Sequence, residues 1–344
     1  MNSKLNGRSD KRTDPLAAML IVLIGGFLLL LFGIAVSISV GAVKISLDTV
    51  WQALVHFDPG QNQHLVVKDL RLPRALAGAV TGASFSVAGA VMQGMTRNPL
   101  ADSGLLGLNA GAGLVLALCL ALAPGLPYSQ VLALSFAGAA LGAGLVYGIS
   151  SMARGGMTPL RLTVAGAAVS SLLLALSEGV ALLFRIGQDL AFWYAGGLAG
   201  TQWMQVRWAL PCAVAGLAAA VWYAKPLTLM SMGDEVATGL GQKTGRVRAV
   251  CTLAVLVLAG TAVSLAGPVA FIGLIIPHVA RILVGTDYRF VIPCSAMIGS
   301  LLMVYADIAG RMVRPPYETP IGALIAIIGV PVFLIMARTE KKVF

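Results

Sequence analysis

An all-α, polytopic membrane protein of about ten transmembrane helices is what the 344-residue sequence predicts, on three observations. Apolar residues make up 58% of the chain, charged residues only 11%, and the charges are grouped between long uncharged runs. A soluble domain is about a quarter charged, so a chain this poor in charge needs lipid as its solvent. At about 20 residues per crossing, its apolar residues suffice for ten helices.

The charges mark the elements in turn. A polar head with Lys4, Arg8, Lys11 and Arg12 precedes Leu16 to Val43, which is uncharged. That run is too long for the core of a cleaved signal peptide, so it reads as a retained first span behind a cytoplasmic tail, 1–15. Residues 44–70 are mixed and polar, an outer loop, and 75–96 form the second span. The uncharged stretch between Asp102 and Arg154 is too long for one crossing. Pro124, Gly125 and Pro127 divide it into spans at 104–123 and 129–153, because proline removes helix donors and favours a turn. Spans at 160–184 and 205–224 follow, joined by an aromatic segment from Asp189 suited to a membrane interface.

Residues 225–248 are the longest charged stretch of the second half, a cytoplasmic loop. The uncharged stretch between Arg248 and Arg281 holds either one tilted helix or two short ones broken at Gly267-Pro268. The positive-inside rule decides. Two crossings put 16 of the 24 Lys and Arg on the cytoplasmic side, whereas a single crossing puts 13 there. The last spans fall at 290–309 and 319–337. The membrane domain is then 16–338, with a cytoplasmic C-terminal tail at 339–344. Small residues four apart mark helix contacts in lipid, and Gly78/Gly82, Gly107/Gly111, Gly138/Gly142 and Gly144/Gly148 fit that spacing.

Several chemistries are excluded or unsupported. Cys119, Cys212, Cys251 and Cys294 stand alone in apolar runs, giving neither a disulfide framework nor a zinc site. The +10 net charge is dispersed and not interleaved with aromatics as a nucleic-acid surface would be. Gly239 to Thr244 superficially resembles a phosphate-binding loop but has Gln242 and Ala237 where glycines are required, so the chain has no visible means of hydrolysing nucleotide. His56, His64 and His278 lack metal-ligand spacing, and His278 reads as packed at a helix end. No cofactor or metal is expected. Glu178 is the clearest ionisable residue in a span, seven before Arg185 and expected on the same helical face.

Two polar patches remain. Lys68, Arg71, Arg74, Arg311 and Arg314 put positive charge on the outer side, against the usual bias; they suit either lipid headgroups or an acidic soluble partner. On the cytoplasmic side, Gly233 to Arg248 carries Ala237 and Leu240 as a short apolar stripe on a polar helix, suited to insertion into a groove.

The segments Arg71-Leu-Pro-Arg74, Gly89-Ala-Val-Met-Gln93, Asn98-Pro-Leu-Ala-Asp102, Gly233-Asp-Glu-x-Ala-x-x-Leu-Gly241, Gly267-Pro-Val-Ala-Phe-Ile-Gly273, Ile276-Pro-His278, Ala306-Asp307 with Arg311, and Pro320-Ile-Gly322 run in order along the chain. Together they resemble the FecCD-type permeases, the membrane subunits of iron-chelate and vitamin B12 ABC importers. The resemblance implies a ten-helix subunit of the cytoplasmic membrane that pairs with an identical or homologous permease. Two cytoplasmic ATPases and an extracytoplasmic binding protein complete the transporter, with ferric siderophore as cargo and cobalamin or haem as alternatives. By the same resemblance Arg71, Arg74 and Arg311 dock the binding protein. Asp234, Glu235, Ala237, Leu240 and Gly241 couple to the ATPase, and Thr158 and Pro159 stand at an inner gate. The rival from another class is an ion-coupled secondary carrier, which wants intramembrane acid pairs and matched broken helices. An intramembrane enzyme would need a paired nucleophile and base.

Overall fold

A computed structural model of the chain describes residues 14–41, 44–152, 159–315 and 317–340. Helix α1, Pro15–Ser39, opens on Asp14, whose carboxylate accepts from the Leu16 amide, with proline at the first helical position where no donor is needed. The polar stretch after it is not a plain loop. It folds into α2, Leu47–Val55, capped by Ser46, and a one-turn helix α3, Asn62–Leu65, which runs through a wider turn into α4, Leu72–Thr96. Arg97, in the left-handed conformation, stops α4.

Next come α5, Leu108–Leu122, α6, Tyr128–Met152, α7, Pro159–Phe184, and a short α8, Gly187–Tyr194. Helix α9, Trp203–Trp222, leads into α10, Ala224–Ser231, and α11, Asp234–Gly239. The uncharged run after Arg248 is broken, with α12, Thr244–Ala266, separated from α13, Ile272–Val284. Helices α14, Tyr288–Met312, and α15, Ile321–Glu340, complete the chain.

Seven of these helices are long and apolar enough to cross a membrane, and α5, α13 and α15 are shorter apolar ones. The ten expected spans thus all correspond to helices. At 1.5 Å per residue the 13 residues of α13 reach about 20 Å, well short of a hydrocarbon core about 30 Å thick. Its partner segment is therefore irregular backbone inside the bundle, tolerated only where neighbours satisfy it. The Gly267 amide donates to the Val263 carbonyl at 2.8 Å, the Phe271 carbonyl accepts from the Ile275 amide at 2.9 Å, and beside the break the Ala266 carbonyl accepts from the Gly197 amide at 2.8 Å. Positive φ at Gly267 and Phe271 turns the chain on either side of the break.

Helix α4 is the axis of the bundle. It is buried almost continuously from Thr81 to Met95 and packs on α12, α13 and α14. Its closest approaches are backbone to backbone: Gly82 meets Gly299 of α14 and Gly89 meets Gly273 of α13, with no space for a Cβ at either crossing. Gly107 and Gly111 interlock in the same way with Gly138 and Gly142, joining α5 to α6. Gly144 and Gly148 do not act so. Both face open space, because four-residue spacing selects a helical face without saying what lies opposite. Glu178 and Arg185 do not share a face either, since α7 ends at Phe184 and Arg185 turns away with φ 59°. Both side chains are exposed.

Two ends of the bundle can be told apart. Arg71, Arg74 and the close of α14 at Arg311 lie at one, the arginine end; Arg97, α11 and the starts of α12 and α14 lie at the other, the loop end. The crossing glycines yield a direct test by thermal unfolding in detergent. Gly89→Val, which drives a branched side chain into the α13 backbone, should cost more than the roughly 1–3 kcal/mol of ordinary overpacking. Gly148→Ala, in open space, should gain about 0.5–1 kcal/mol from helix propensity.

Candidate functional site

At the arginine end the last turn of α1 presents carbonyls that no helical amide can reach. Two arginines from other helices satisfy them. Arg71 donates to Ile38 O at 2.6 Å and Ser39 O at 3.0 Å. Arg311 donates to Ser37 O at 2.9 Å, Val40 O at 2.7 Å and the Ser37 hydroxyl at 2.7 Å. Both cations also sit where the helix dipole is negative. Between them Arg74 grips two carboxylates, Asp307 at 2.7 Å and Glu318 at 2.6 Å, and Asp307 reaches Arg311 at 2.8 Å. Asp307, Arg311 and Arg74 are only 2%, 7% and 14% exposed.

All three arginines predicted from the sequence line one cavity of about 320 Å³, with Gly41, Thr201, Tyr317 and Glu318. They are not free surface charges, because each already holds the chain together. Arg314 lies outside the network, over the Tyr317 ring at 5.6 Å, and Lys68 lies over Phe57 at 3.8 Å. Sequence reading missed Glu318 and the α1 carbonyls. The i,i+4 spacing of Asp307 and Arg311 was the available signal for the pair.

At the loop end Asp234 opens α11 and is held from two sides, by Arg97 at 3.3 Å and Arg248 at 3.1 Å. Arg97 terminates α4 and Arg248 lies near the start of α12, so α11 is tied to both helices. The expected stripe is corrected here. Ala237 is fully buried against the body, while Leu240 is 65% exposed. The side chains exposed with it are Val236, four residues earlier, and Met232, eight earlier, with Glu235 beside them. Three-residue spacing placed Ala237 on that face; four-residue spacing places Val236 there. Gly241 takes φ +80°, turning the chain into the approach to α12.

Nearby, Asp287 caps α14, accepting from the Arg289 backbone and side chain and from the Thr228 hydroxyl of α10. Partial burial works against its charge, yet the Arg289 hydrogen bonds hold the carboxyl below the ordinary range. The sign follows: this α10–α14 clamp is in place above about pH 4 and is lost as pH falls through the lowered value.

A third cluster lies about one turn inside the loop end. Pro277 has no amide to offer Gly273 O, the carbonyl one turn before it. The Gln93 side chain donates there instead at 3.2 Å, and to Leu274 O at 3.2 Å, while Arg281 donates to Gln93 Oε1 at 2.6 Å. Gln93 stands in a quoted motif, but its role was not legible without knowing that α13 lies opposite. Of the gate pair, Thr158 lies outside the described residues and Pro159 begins α7. Among the described residues no His, Cys, Asp and Glu cluster could hold a metal.

The model of the FecCD transport family matches residues 29–339. The chain belongs to that family. It is 49% identical over 94% of its length to the iron(3+)-hydroxamate import system permease protein FhuB of Bacillus subtilis, covering 84% of that protein. It is 38% identical over 92% of its length to the ferric enterobactin transport system permease protein FepD of Escherichia coli, covering 95%. Among solved structures, a metal-chelate type ABC transporter in an inward-facing conformation aligns with TM-score 0.81 at 26% identity, over 92% of this chain and 99% of that one. A FecCD chain is a multi-pass membrane permease and a transport subunit, and it works with ABC transporter partners.

For this FecCD chain the buried network carries a stability prediction. Asp307→Asn leaves Arg74 and Arg311 facing each other without their shared counter-charge, and should cost about 3–5 kcal/mol. Glu318→Gln, at a side chain 41% exposed, should cost under about 1 kcal/mol. Thermal unfolding of both variants checks the contrast.

Proposed function

We propose that the chain is the permease subunit of a binding-protein-dependent ABC importer that moves ferric siderophore across the cytoplasmic membrane. The observation that carries the reading is the series of full-length relatives whose names specify ferric cargo: iron(3+)-hydroxamate, Fe(3+)-citrate and ferric enterobactin. In this reading two copies, or this chain and a homologue, form the path. The arginine end faces outward and the loop end inward, with both termini in the cytoplasm. Two cytoplasmic ATPases drive the cycle, so the chain itself is not an enzyme, and a binding protein delivers the cargo.

The geometry supports a division of labour between the ends. The pocket of Arg71, Arg74 and Arg311 gathers three cations against two carboxylates, leaving net positive potential for acidic side chains of a binding protein. Charges so placed steer and orient more than they hold. At the opposite end, Val236 and Leu240 present the apolar knob of α11, and Ala237 and Asp234 anchor it, the arrangement a groove on an ATPase would grip. ATP-driven approach of the ATPases would then reach α4 and α12 through Arg97 and Arg248. Thr158 and Pro159, which fall between α6 and the start of α7 in the sequence, remain the proposed inner gate.

Cargo and coupling are tested separately. A strain lacking the gene should lose uptake of at least one ferric chelate among hydroxamate, citrate and catecholate forms. Normal uptake of all three with loss of cobalamin uptake would replace the cargo. Val236→Asp with Leu240→Asp should abolish binding-protein-stimulated ATP hydrolysis and reduce uptake at least about tenfold, the loss of roughly 1.4 kcal/mol of coupling, at unchanged membrane abundance. Full uptake by that double variant would remove α11 from the coupling role. Binding-protein docking should weaken as salt rises and should weaken further in Arg74→Gln; docking indifferent to both would remove the arginine pocket from that role.

A further inference from the structure

Away from both ends, a cavity of about 530 Å³ opens between α6 and α9. Ala133 and Phe136 of α6 form one wall, Met204, Trp208 and Cys212 of α9 the other, and α12 the floor. Its size is that of a small-molecule pocket. Its chemistry is unlike that of a polar-ligand site. The two hydroxyls of the floor are turned into their own helix: Thr261 donates to Val257 O at 2.7 Å and Ser264 to Thr261 O at 2.8 Å. The Phe136 ring lies against Gly260, closing the floor with an apolar face. The cavity therefore offers a ligand almost no hydrogen bonds, and water would gain little there.

Its position identifies the occupant. Residues 129–136 and 204–212 belong to the first turns of α6 and α9, and Thr261 and Ser264 to the last turns of α12. Trp203 donates from Nε1 to Lys68 O at 2.7 Å, which fixes the start of α9 at the arginine end. The mouth lies beside Trp208, which lines the cavity and is 63% exposed. Trp at such a level marks the membrane interface. Arg207, one residue before Trp208, is exposed at the same level of α9 although it does not line the slot, and Gln130 lines it from the first turn of α6. An apolar slot beside an interfacial Trp, with a cation at the same level of the helix, has the polarity of a phospholipid, with the acyl chain inside and the headgroup at the level of the guanidinium.

We propose that this cleft is a phospholipid site in the leaflet at the arginine end, holding one acyl chain between α6 and α9 against α12. The inference rests on the membrane-spanning fold and not on the identity of the cargo. A chain seated there sets the spacing of α6 and α9 over α12, a helix packed directly on the central α4. The lipid thereby supports the bundle where its own side chains leave a gap.

The experiment uses the full chain with the subunits that co-purify with it. Native mass spectrometry after mild detergent extraction should find a phospholipid retained by the wild type and lost from Ala133→Phe, which fills the slot. Arg207→Gln should lose preference for anionic over zwitterionic phospholipid. An independent readout needs no variant that fills the cavity. Cys212 is half-buried at the slot, whereas Cys119, Cys251 and Cys294 are buried. Delipidation should speed Cys212 alkylation by a membrane-permeant maleimide about tenfold, and adding phosphatidylglycerol should restore the slow rate, as protection by a mostly occupied site requires. Equal phospholipid retention by folded wild type and Ala133→Phe would overturn the proposal. So would a Cys212 rate indifferent to phospholipid, or recovery of free fatty acid alone.

Discussion

Everything in this bundle depends on the rule that a backbone polar group in hydrocarbon must find its partner within the protein. Helices satisfy the rule along their length and break it at their ends and at prolines. At two of these breaches the chain answers with a long side chain from a distant segment. Arg71 and Arg311 close the end of α1, and Gln93 supplies the donor that Pro277 withholds from α13. These contacts also set tertiary structure, because a donor borrowed across helices fixes how the helices sit. The close crossings of Gly82 with Gly299 and Gly89 with Gly273 bring α4 near enough for the Gln93 bond to form.

The same economy explains why residues with functional promise are structural as well. Arg74, Asp307 and Arg311 form a nearly dry network in which one carboxylate is shared by two guanidinium groups, and removing it leaves both without their common counter-charge. A partner approaching this end meets a preorganised cavity, with the guanidinium groups already oriented by carbonyls and carboxylates. At the other end the division is cleaner. Ala237 serves packing while Leu240 is left to the surroundings.

Much of the fold was legible because charges punctuate it. The expected start of α9 at 205 differs from the structure by two residues, and the break near Gly267-Pro268 was found by counting basic residues on each side. The helices of 44–70 were missed although Ser46 is a good cap and Val50 and Ala53 are three apart, because polarity was read there without periodicity. Unusual sidedness marked five basic residues, Lys68, Arg71, Arg74, Arg311 and Arg314, and the family resemblance singled out three of them. Their partners were not legible, since a backbone carbonyl leaves no mark in the residue code. Gly144 and Gly148 match the contact spacing yet face open space, and Ala237 was placed on the wrong face by one residue. Spacing gives the neighbours along a helix; only the assembled bundle gives what lies across from them.

The shared hold on Asp234 has a mechanical consequence. One carboxylate takes an arginine from the end of α4 and another from the beginning of α12. A load applied to the six-residue helix α11 is thus split between two levers that run through the middle of the molecule side by side. Both ion pairs are 34–42% exposed, so they orient α11 against the two helices more than they hold it, and any tilt of the tip would be felt by both through the same carboxylate.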